Sequence, residues 1–168
     1  MTYYKATRTD GTSFHDSTTK WKVGRITRHP NPDTSKGLCS DGVLHISDAP
    51  GETLVGGSWP CRLFEVEPRS ALISGDEHKH GCTAVKVVRE LPAWQALGPN
   101  GEAVAAHIEQ CKVITLEQAR QLNAAGFAAR DAALALVVRD LITPEQFDRL
   151  YGPWASVMGP SRTEPENQ

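Results

Sequence analysis

The chain has 168 residues, a net charge of -2, and 39% hydrophobic and 23% charged residues, which suits one folded domain or a small domain with an appended subdomain. No apolar run reaches the roughly 18 to 20 residues of a membrane-spanning helix, and the first residues lack the apolar core of a signal peptide. We therefore expect a cytoplasmic protein with no membrane partner.

Five segments in the first 98 residues have the pattern of short β-strands, because polar and apolar residues nearly alternate between turn residues. They are TYYKAT, WKVGRIT, GVLHIS, CRLFEVE and TAVKVVREL. In the fourth, Phe64 and Val66 fall on one face and Leu63 on the other, which predicts a central strand. After GVLHIS, Asp48 and Pro50 predict the start of a short helix that Asp48 caps.

From Gly101 the composition changes to strong helix formers. Four helices are predicted, in GEAVAAHIEQC, TLEQARQLNAAG, FAARDAALALVVRDL and a short segment through EQFDRLY. Capping boxes are predicted at Thr115 with Gln118 and at Thr143 with Gln146, and Gly126 is a predicted C-cap. The apolar residues of the third helix are predicted to be core, namely Leu134, Leu136, Val137, Val138 and Leu141.

These patterns predict an α+β protein with a β-rich core and a C-terminal helical subdomain. The core covers residues 1–98, the helical subdomain covers 99–158 and packs on the core, and residues 159–168 form a disordered tail without apolar content.

Basic residues concentrate at the N-terminus, where residues 1–36 carry seven Lys or Arg against three Asp or Glu. Six of them are Lys5, Arg8, Lys20, Lys22, Arg25 and Arg28. Interleaved with Tyr3, Tyr4 and Trp21, they are suited to a phosphate-bearing ligand, either a nucleotide or a nucleic acid. The alternative is a solvated face of a small sheet.

The stretch SGDEHKHGC, residues 74–82, has three alternative interpretations. In the first, it is a loop that presents Asp76 or Glu77 to a cleft, where a carboxylate orients a ribose hydroxyl or stabilises a developing cation. In the second, it is a polar turn between two strands. In the third, it is a zinc site through His78, His80 and Cys82, which needs further ligands from single residues such as Cys39 or His45.

Cysteine spacing favours neither a paired zinc motif nor a disulfide scaffold. The four cysteines, Cys39, Cys61, Cys82 and Cys111, are too far apart for a CxxC pair and too few for a disulfide framework. We expect reduced and mostly buried thiols.

Four motifs in order resemble a known family: YYKATRTDG, GVLHISDAPGETL, CRLFEVEPRSALISGDE, and VKVVREL followed by Trp94. Their layout resembles small ADP-ribosyltransferase-like domains, in particular the rifamycin ADP-ribosyltransferases, and a related family of bacterial and phage domains. The resemblance covers roughly residues 3–94. It implies a small split β-sheet core that binds NAD as a substrate in a cleft and transfers ADP-ribose to a small-molecule or protein acceptor.

The resemblance also implies roles for individual residues. The family's first-strand His-Gly-Thr falls on residues 5–7, its nicotinamide-stacking tyrosine falls on His45, and its later acid falls on Asp76 or Glu77. Lys5 and Arg8 would then hold the ribose or the pyrophosphate. Thr7 and Ser47 would add hydrogen bonds.

Two of these positions differ from the family in residue type, since Lys5 replaces a histidine and His45 replaces a tyrosine. The alternative is therefore a non-catalytic module of the same fold. Such a module would bind a nucleotide, a nucleic acid or a protein partner.

Overall fold

In a computed structural model of the chain, the described residues are 1–38, 40–74, 78–124 and 128–159. The fold is mixed α+β, with β-strands in the first half and four α-helices in the second. The chain divides into two compact units, Met1–Ala96 and a second that begins at Leu97, two residues before the predicted boundary. Within the described ranges no helix has the length and apolar character needed to cross a membrane.

Over the described residues, seven strands make up one antiparallel sheet. They are β1 Tyr3–Thr7, β2 Ile26–Arg28, β3 Leu44–Ser47, β4 Arg62–Pro68, β5 Ile73–Ser74, β6 Lys79–Cys82 and β7 Ala84–Leu91. Each predicted segment overlaps one strand, although β2 and β4 each end one residue beyond their segment, and β5 and β6 are additional. The prediction of a loop or turn over residues 74–82 is therefore wrong at both ends, because Ser74 ends β5 and Lys79–Cys82 forms β6.

The order of strands in the sheet is β2-β7-β4-β1-β3-β6-β5, which places β4 inside the sheet as predicted. Leu63, Phe64 and Val66 are all fully buried. Phe64 and Val66 belong to one apolar cluster, and Leu63 belongs to another. The expected two-sided burial of this strand is confirmed.

The sheet is weakly joined between β1 and β3. Strand β1 pairs with β4 over five residues, but it pairs with β3 only through Tyr4 and Ser47. Lys5, the next residue of β1, has its partner on β4 and none on β3. The four strands β2-β7-β4-β1 and the three strands β3-β6-β5 therefore meet at one residue pair, beside which the sheet opens.

A short 3-10 helix, Pro50–Glu52, follows β3 with proline at its first position, as predicted. The predicted cap is wrong, because Ala49 occupies the N-cap position and no side chain caps this helix. The carboxylate of Asp48 instead lies 2.8 Å from Nε2 of His80 on β6. A charge-assisted contact with a neighbouring strand thus takes the place of a local cap.

The second unit contains α1 Gly101–Lys112, α2 Leu116–Ala124, α3 Ala128–Val137 and α4 Pro144–Met158. Both predicted capping boxes are present, at Thr115 with Gln118 and at Thr143 with Gln146. Helix α4 continues through Pro153 well beyond its predicted end and terminates at Gly159. The predicted C-cap Gly126 and residues 160–168 of the predicted tail lie outside the described residues.

The core of the second unit differs from the predicted one. Leu136 is buried, but Leu134 is 52%, Val137 51% and Leu141 83% exposed, so the prediction is wrong for these three. The buried face of α3 consists mainly of alanines, at residues 128, 132 and 135. The core volume comes from the large side chains of α4, namely Phe147, Tyr151 and Trp154. Small residues on one helix let a partner with bulky residues pack closely against it.

Candidate functional site

A cavity of about 170 Å³ lies at the opening between β1 and β3. Its lining includes Lys5 of β1, His45 and Ser47 of β3, and Lys79 of β6. A second cavity of about 250 Å³ also includes Lys5 and His45, and His15 lines both. We call the two cavities together the β1–β3 cleft.

Lys5 is a partly buried cation in this cleft. Its Nζ lies 5.3 Å from the centroid of the Trp21 ring. Burial lowers the pKa of Lys5 to about 8, and repulsion from Lys79 adds to the effect, while Asp16 opposes it. The ammonium group is thus held where water stabilises it poorly, and an anionic ligand would supply the missing compensation.

His45 is a neutral, fixed imidazole. Its Nε2 donates a hydrogen bond to the backbone carbonyl of Leu38, which assigns the proton to that nitrogen and leaves Nδ1 as an acceptor. Burial lowers the pKa of His45 to about 4, and the hydrogen bond to Leu38 offsets this only in part. The ring is therefore uncharged at neutral pH.

The structure brings together three of the five described residues that the resemblance selects. Ser47 is buried and lines the cleft with Lys5 and His45. Thr7 is fully buried and donates its hydroxyl to the carbonyl of Arg8 at 3.0 Å. Arg8 donates to the carbonyls of residues 13 and 14 at 3.3 and 2.9 Å. Thr7 and Arg8 thus stabilise the chain after β1, and neither lines the cleft.

The predicted acids Asp76 and Glu77 lie outside the described residues. Sequence reasoning missed another acid, Glu52, which lines the cleft. Its Oε1 lies 2.7 Å from Nδ1 of His78, and its Oε2 is buried with no hydrogen-bond partner among the described residues. The sequence feature that could have identified Glu52 is its position in the short helix directly after β3, where the sheet opens.

Two further cleft residues were also missed by sequence reasoning. Phe14 contributes aromatic surface beside the predicted Tyr4, and Lys79 contributes a second cation. The ring of Phe14 packs so closely on Gly57 that a Cβ there would come within 2.9 Å of it. A glycine thus makes room for an aromatic wall of the cleft.

The three residues considered for zinc have other partners. His78 contacts Glu52, His80 contacts Asp48, and the thiol of Cys82 donates to the carbonyl of Leu44 at 3.7 Å. Burial raises the pKa of Cys82 to about 12, so this thiol is protonated at neutral pH, whereas zinc binds the thiolate. Within the described ranges, no three His, Cys, Asp or Glu side chains gather as a metal site.

Cysteine burial follows the prediction in part. Cys61 and Cys82 are free and buried, and Cys111 is free and exposed, while Cys39 lies outside the described residues.

Four of the basic N-terminal residues separate from the aromatic residues that neighbour them in the sequence. Lys20, Lys22, Arg25 and Arg28 are exposed and line one shallow groove of about 470 Å³ beside β2. Lys5 instead lies in the cleft with Tyr4 and over the ring of Trp21, while Tyr3 is buried in the core. The predicted combination of basic and aromatic residues is therefore present at Lys5 and absent from the described lining of the groove.

Comparison with known proteins gives no match: no family model fits the chain, and no curated protein or solved structure is similar to it.

Proposed function

We propose that the chain is an ADP-ribosyltransferase-like protein that binds NAD in the β1–β3 cleft and transfers ADP-ribose to an acceptor. The observation that carries the proposal is the pair of cations in the cleft. Lys5 and Lys79 lie close enough for repulsion to help lower the pKa of Lys5, and both line a cavity at the opening of the sheet. A bound pyrophosphate would relieve that repulsion, which favours a ligand with clustered negative charge.

The other cleft residues suit the remaining parts of NAD. The neutral ring of His45 can stack on the nicotinamide, whereas a protonated ring would repel its positively charged pyridinium. Ser47 offers a hydroxyl for a ribose hydroxyl. The buried Oε2 of Glu52, which has no hydrogen-bond partner among the described residues, offers negative charge near the sugar. Asp76 and Glu77 remain the predicted acids of the resemblance.

The chemistry requires one bond to break and one to form at the same carbon. The bond from the ribose C1′ to the nicotinamide nitrogen breaks, and its electron pair leaves with nicotinamide. Positive charge then develops at the sugar, where a carboxylate such as that of Glu52 stabilises it. A nucleophile of the acceptor bonds to C1′ and loses its proton to solvent or to a base.

The fold agrees with this proposal in one respect. The single residue pair between β1 and β3 divides the sheet into four and three strands and leaves an opening between them. The resemblance implies a split sheet with the ligand in a cleft, and the β1–β3 cleft lies at such an opening. The finer identification with the ADP-ribosyltransferase fold is part of the proposal.

Calorimetric titration with NAD and with ADP-ribose tests the ligand. We expect both to bind, and we expect Lys5→Ala and His45→Ala to weaken binding about tenfold or more, the loss of roughly 1.4 kcal/mol. Lys112→Ala, at an exposed lysine that lines neither cavity, is the matched control and should leave affinity unchanged. Failure of both ligands to bind would overturn the proposal.

An assay for nicotinamide released from NAD distinguishes an enzyme from the second candidate function, a non-catalytic module of the same fold. That candidate is favoured by the replacement of the family's histidine and tyrosine with Lys5 and His45. An enzyme should release nicotinamide, and Glu52→Gln should lower the rate while NAD still binds. Binding without release in the presence of varied acceptors would assign the module.

A further inference from the structure

The groove beside β2 is lined by cations and by no acid. Among its described lining residues are four cations, Lys20, Lys22, Arg25 and Arg28, and three threonines. Strand β2 is at the edge of the sheet, and the groove lies between this strand and the segment that contains Lys20. We call it the β2 groove.

Two backbone contacts fix the spacing of the four cations. Arg25 donates its N–H to the carbonyl of Lys22 at 3.0 Å, which closes a tight turn before β2. The hydroxyl of Thr27 donates to the carbonyl of Lys20, also at 3.0 Å. Arg28 is the last residue of β2, and Arg25 lies in the turn that leads into it. The backbone of the edge strand and its turn thus carries two of the four cations.

The cations of the β2 groove differ from other cations of the first unit. Lys36, Arg62, Arg69 and Arg89 each form a salt bridge with a carboxylate. Over the described ranges, no carboxylate lies within salt-bridge distance of the four cations that line the groove. Their charge is therefore available to a partner, although the whole chain is slightly acidic.

The lining side chains of the β2 groove indicate which part of a nucleic acid it would bind. The groove has no aromatic ring on which an unpaired base could stack, and single-strand binding relies on such rings. Lysine, arginine and threonine side chains are suited to phosphate oxygens. We infer that the β2 groove binds the phosphate backbone of double-stranded nucleic acid without sequence preference.

The groove adjoins the β1–β3 cleft at Thr18 and Pro30, but its cations lie outside the cleft and the inference does not depend on the proposed function. None of its four cations lines either cavity of the cleft. Lys5→Ala should therefore leave duplex binding unchanged. If the protein fails to bind NAD, the inference about the β2 groove still stands.

Fluorescence anisotropy with a short labelled duplex of mixed sequence, over a series of salt concentrations, tests the inference. Four phosphate contacts predict a slope of about -3 to -4 in a plot of log K against log salt, because each contact contributes about -0.9. Arg25→Glu with Arg28→Glu should weaken binding at least tenfold and reduce the magnitude of the slope by about 2.

A matched double variant controls for net charge. Lys112→Glu with Arg149→Glu makes the same change in charge on exposed residues of the second unit, and we expect less than about a twofold effect, since neither residue lines the groove. Thermal unfolding checks that each variant is folded, and Arg25→Gln with Arg28→Gln replaces the charge reversal if that variant unfolds.

Three results would overturn the inference. They are no duplex binding at low salt, equal losses in the groove variant and its control, and binding to phosphatidylserine vesicles in place of the duplex.

Discussion

The carboxylate of Asp48 and Nε2 of His80 lie 2.8 Å apart, although 32 residues separate them in the chain. The side chain of His80 is 16% exposed and that of Asp48 34%, and the ring of His80 meets the ring of Tyr3 edge-on at 5.4 Å. A parallel contact joins Glu52 to His78 at 2.7 Å. Together the two pairs attach the segment after β3 to β6 and hold Glu52 in the wall of the cleft.

A double-mutant cycle on Asp48→Ala and His80→Ala should show that the pair acts as a unit. We expect a coupling free energy of about 0.5 to 3 kcal/mol, because the two groups are in contact and partly screened from solvent. Denaturant unfolding of the four proteins measures it. The exposed pair Glu67 with Arg69 is the control, with about 0 to 1 kcal/mol expected. Additive effects at Asp48 and His80 would contradict the prediction.

Lys5→Met should make the protein more stable and less able to bind an anion. The pKa of Lys5 is lowered to about 8, so the folded state disfavours the charged form that the unfolded chain carries up to its ordinary pKa of 10.5. The contribution of Lys5 to stability therefore rises as pH increases from about 8 to 10.5. At pH 7 the methionine removes that penalty, and a gain of about 1 kcal/mol would raise the melting temperature by roughly 2 to 4 °C.

Thermal unfolding at pH 7 and pH 10 checks this prediction, because the advantage of Lys5→Met should shrink at the higher pH. Lys22→Met, at an exposed position, is the control and should change little at either pH. A variant that is less stable than the wild type at pH 7 would show that the lysine stabilises the fold.

His45 should contribute to loss of stability in mild acid. Its folded pKa of about 4 lies below its ordinary value of 6.5, so between these values the unfolded chain binds a proton that the folded chain does not. Stability from this group is present above pH 6.5 and is lost as pH falls toward 4. His45→Gln should flatten the curve of melting temperature against pH over that window.

His15→Gln is the control for this experiment, because His15 lines the same cleft but is exposed. We expect that variant to follow the wild-type curve. An unchanged slope in His45→Gln would mean that other groups account for the acid sensitivity.

Local sequence signals predicted elements whose determinants are local. The capping box of Thr143 and Gln146 needs only four residues, and the two-sided burial of β4 follows from apolar residues at 63, 64 and 66. Strand β6 was not predicted because KHGC shows no alternation of polarity. Its strand conformation depends on pairing with β3, in which Leu44 is opposite Cys82 and Ile46 is opposite His80.

The residues of the candidate site also differ in whether local sequence signals identify them. Lys5, His45 and Ser47 lie on strands that the sequence predicted, so the resemblance could select them. Glu52 and Lys79 join them only because β3 pairs with β6 and the short helix folds back beside that pair. The buried face of α3 is a similar case. Whether its alanines or its leucines are buried depends on the helix that packs against it, and the periodicity of α3 alone does not identify that helix.

Gly42→Ala should destabilise the first unit, because a Cβ at this position would lie only 2.2 Å from the backbone oxygen of Asp33. The two residues are already joined by a hydrogen bond from the Asp33 N–H to the Gly42 carbonyl at 3.0 Å, so the backbone has to move. We expect a loss of about 1 to 3 kcal/mol in the free energy of unfolding, the usual cost of overpacking. Gly152→Ala is the comparison variant, since within α4 the added Cβ meets no atom beyond its chain neighbours, and we expect a smaller loss there, because only the following Pro153 restricts a helical residue that carries a Cβ. Denaturant unfolding of both variants measures the two effects, and a Gly42→Ala variant as stable as the wild type would show that the strand entering β3 tolerates displacement at this contact.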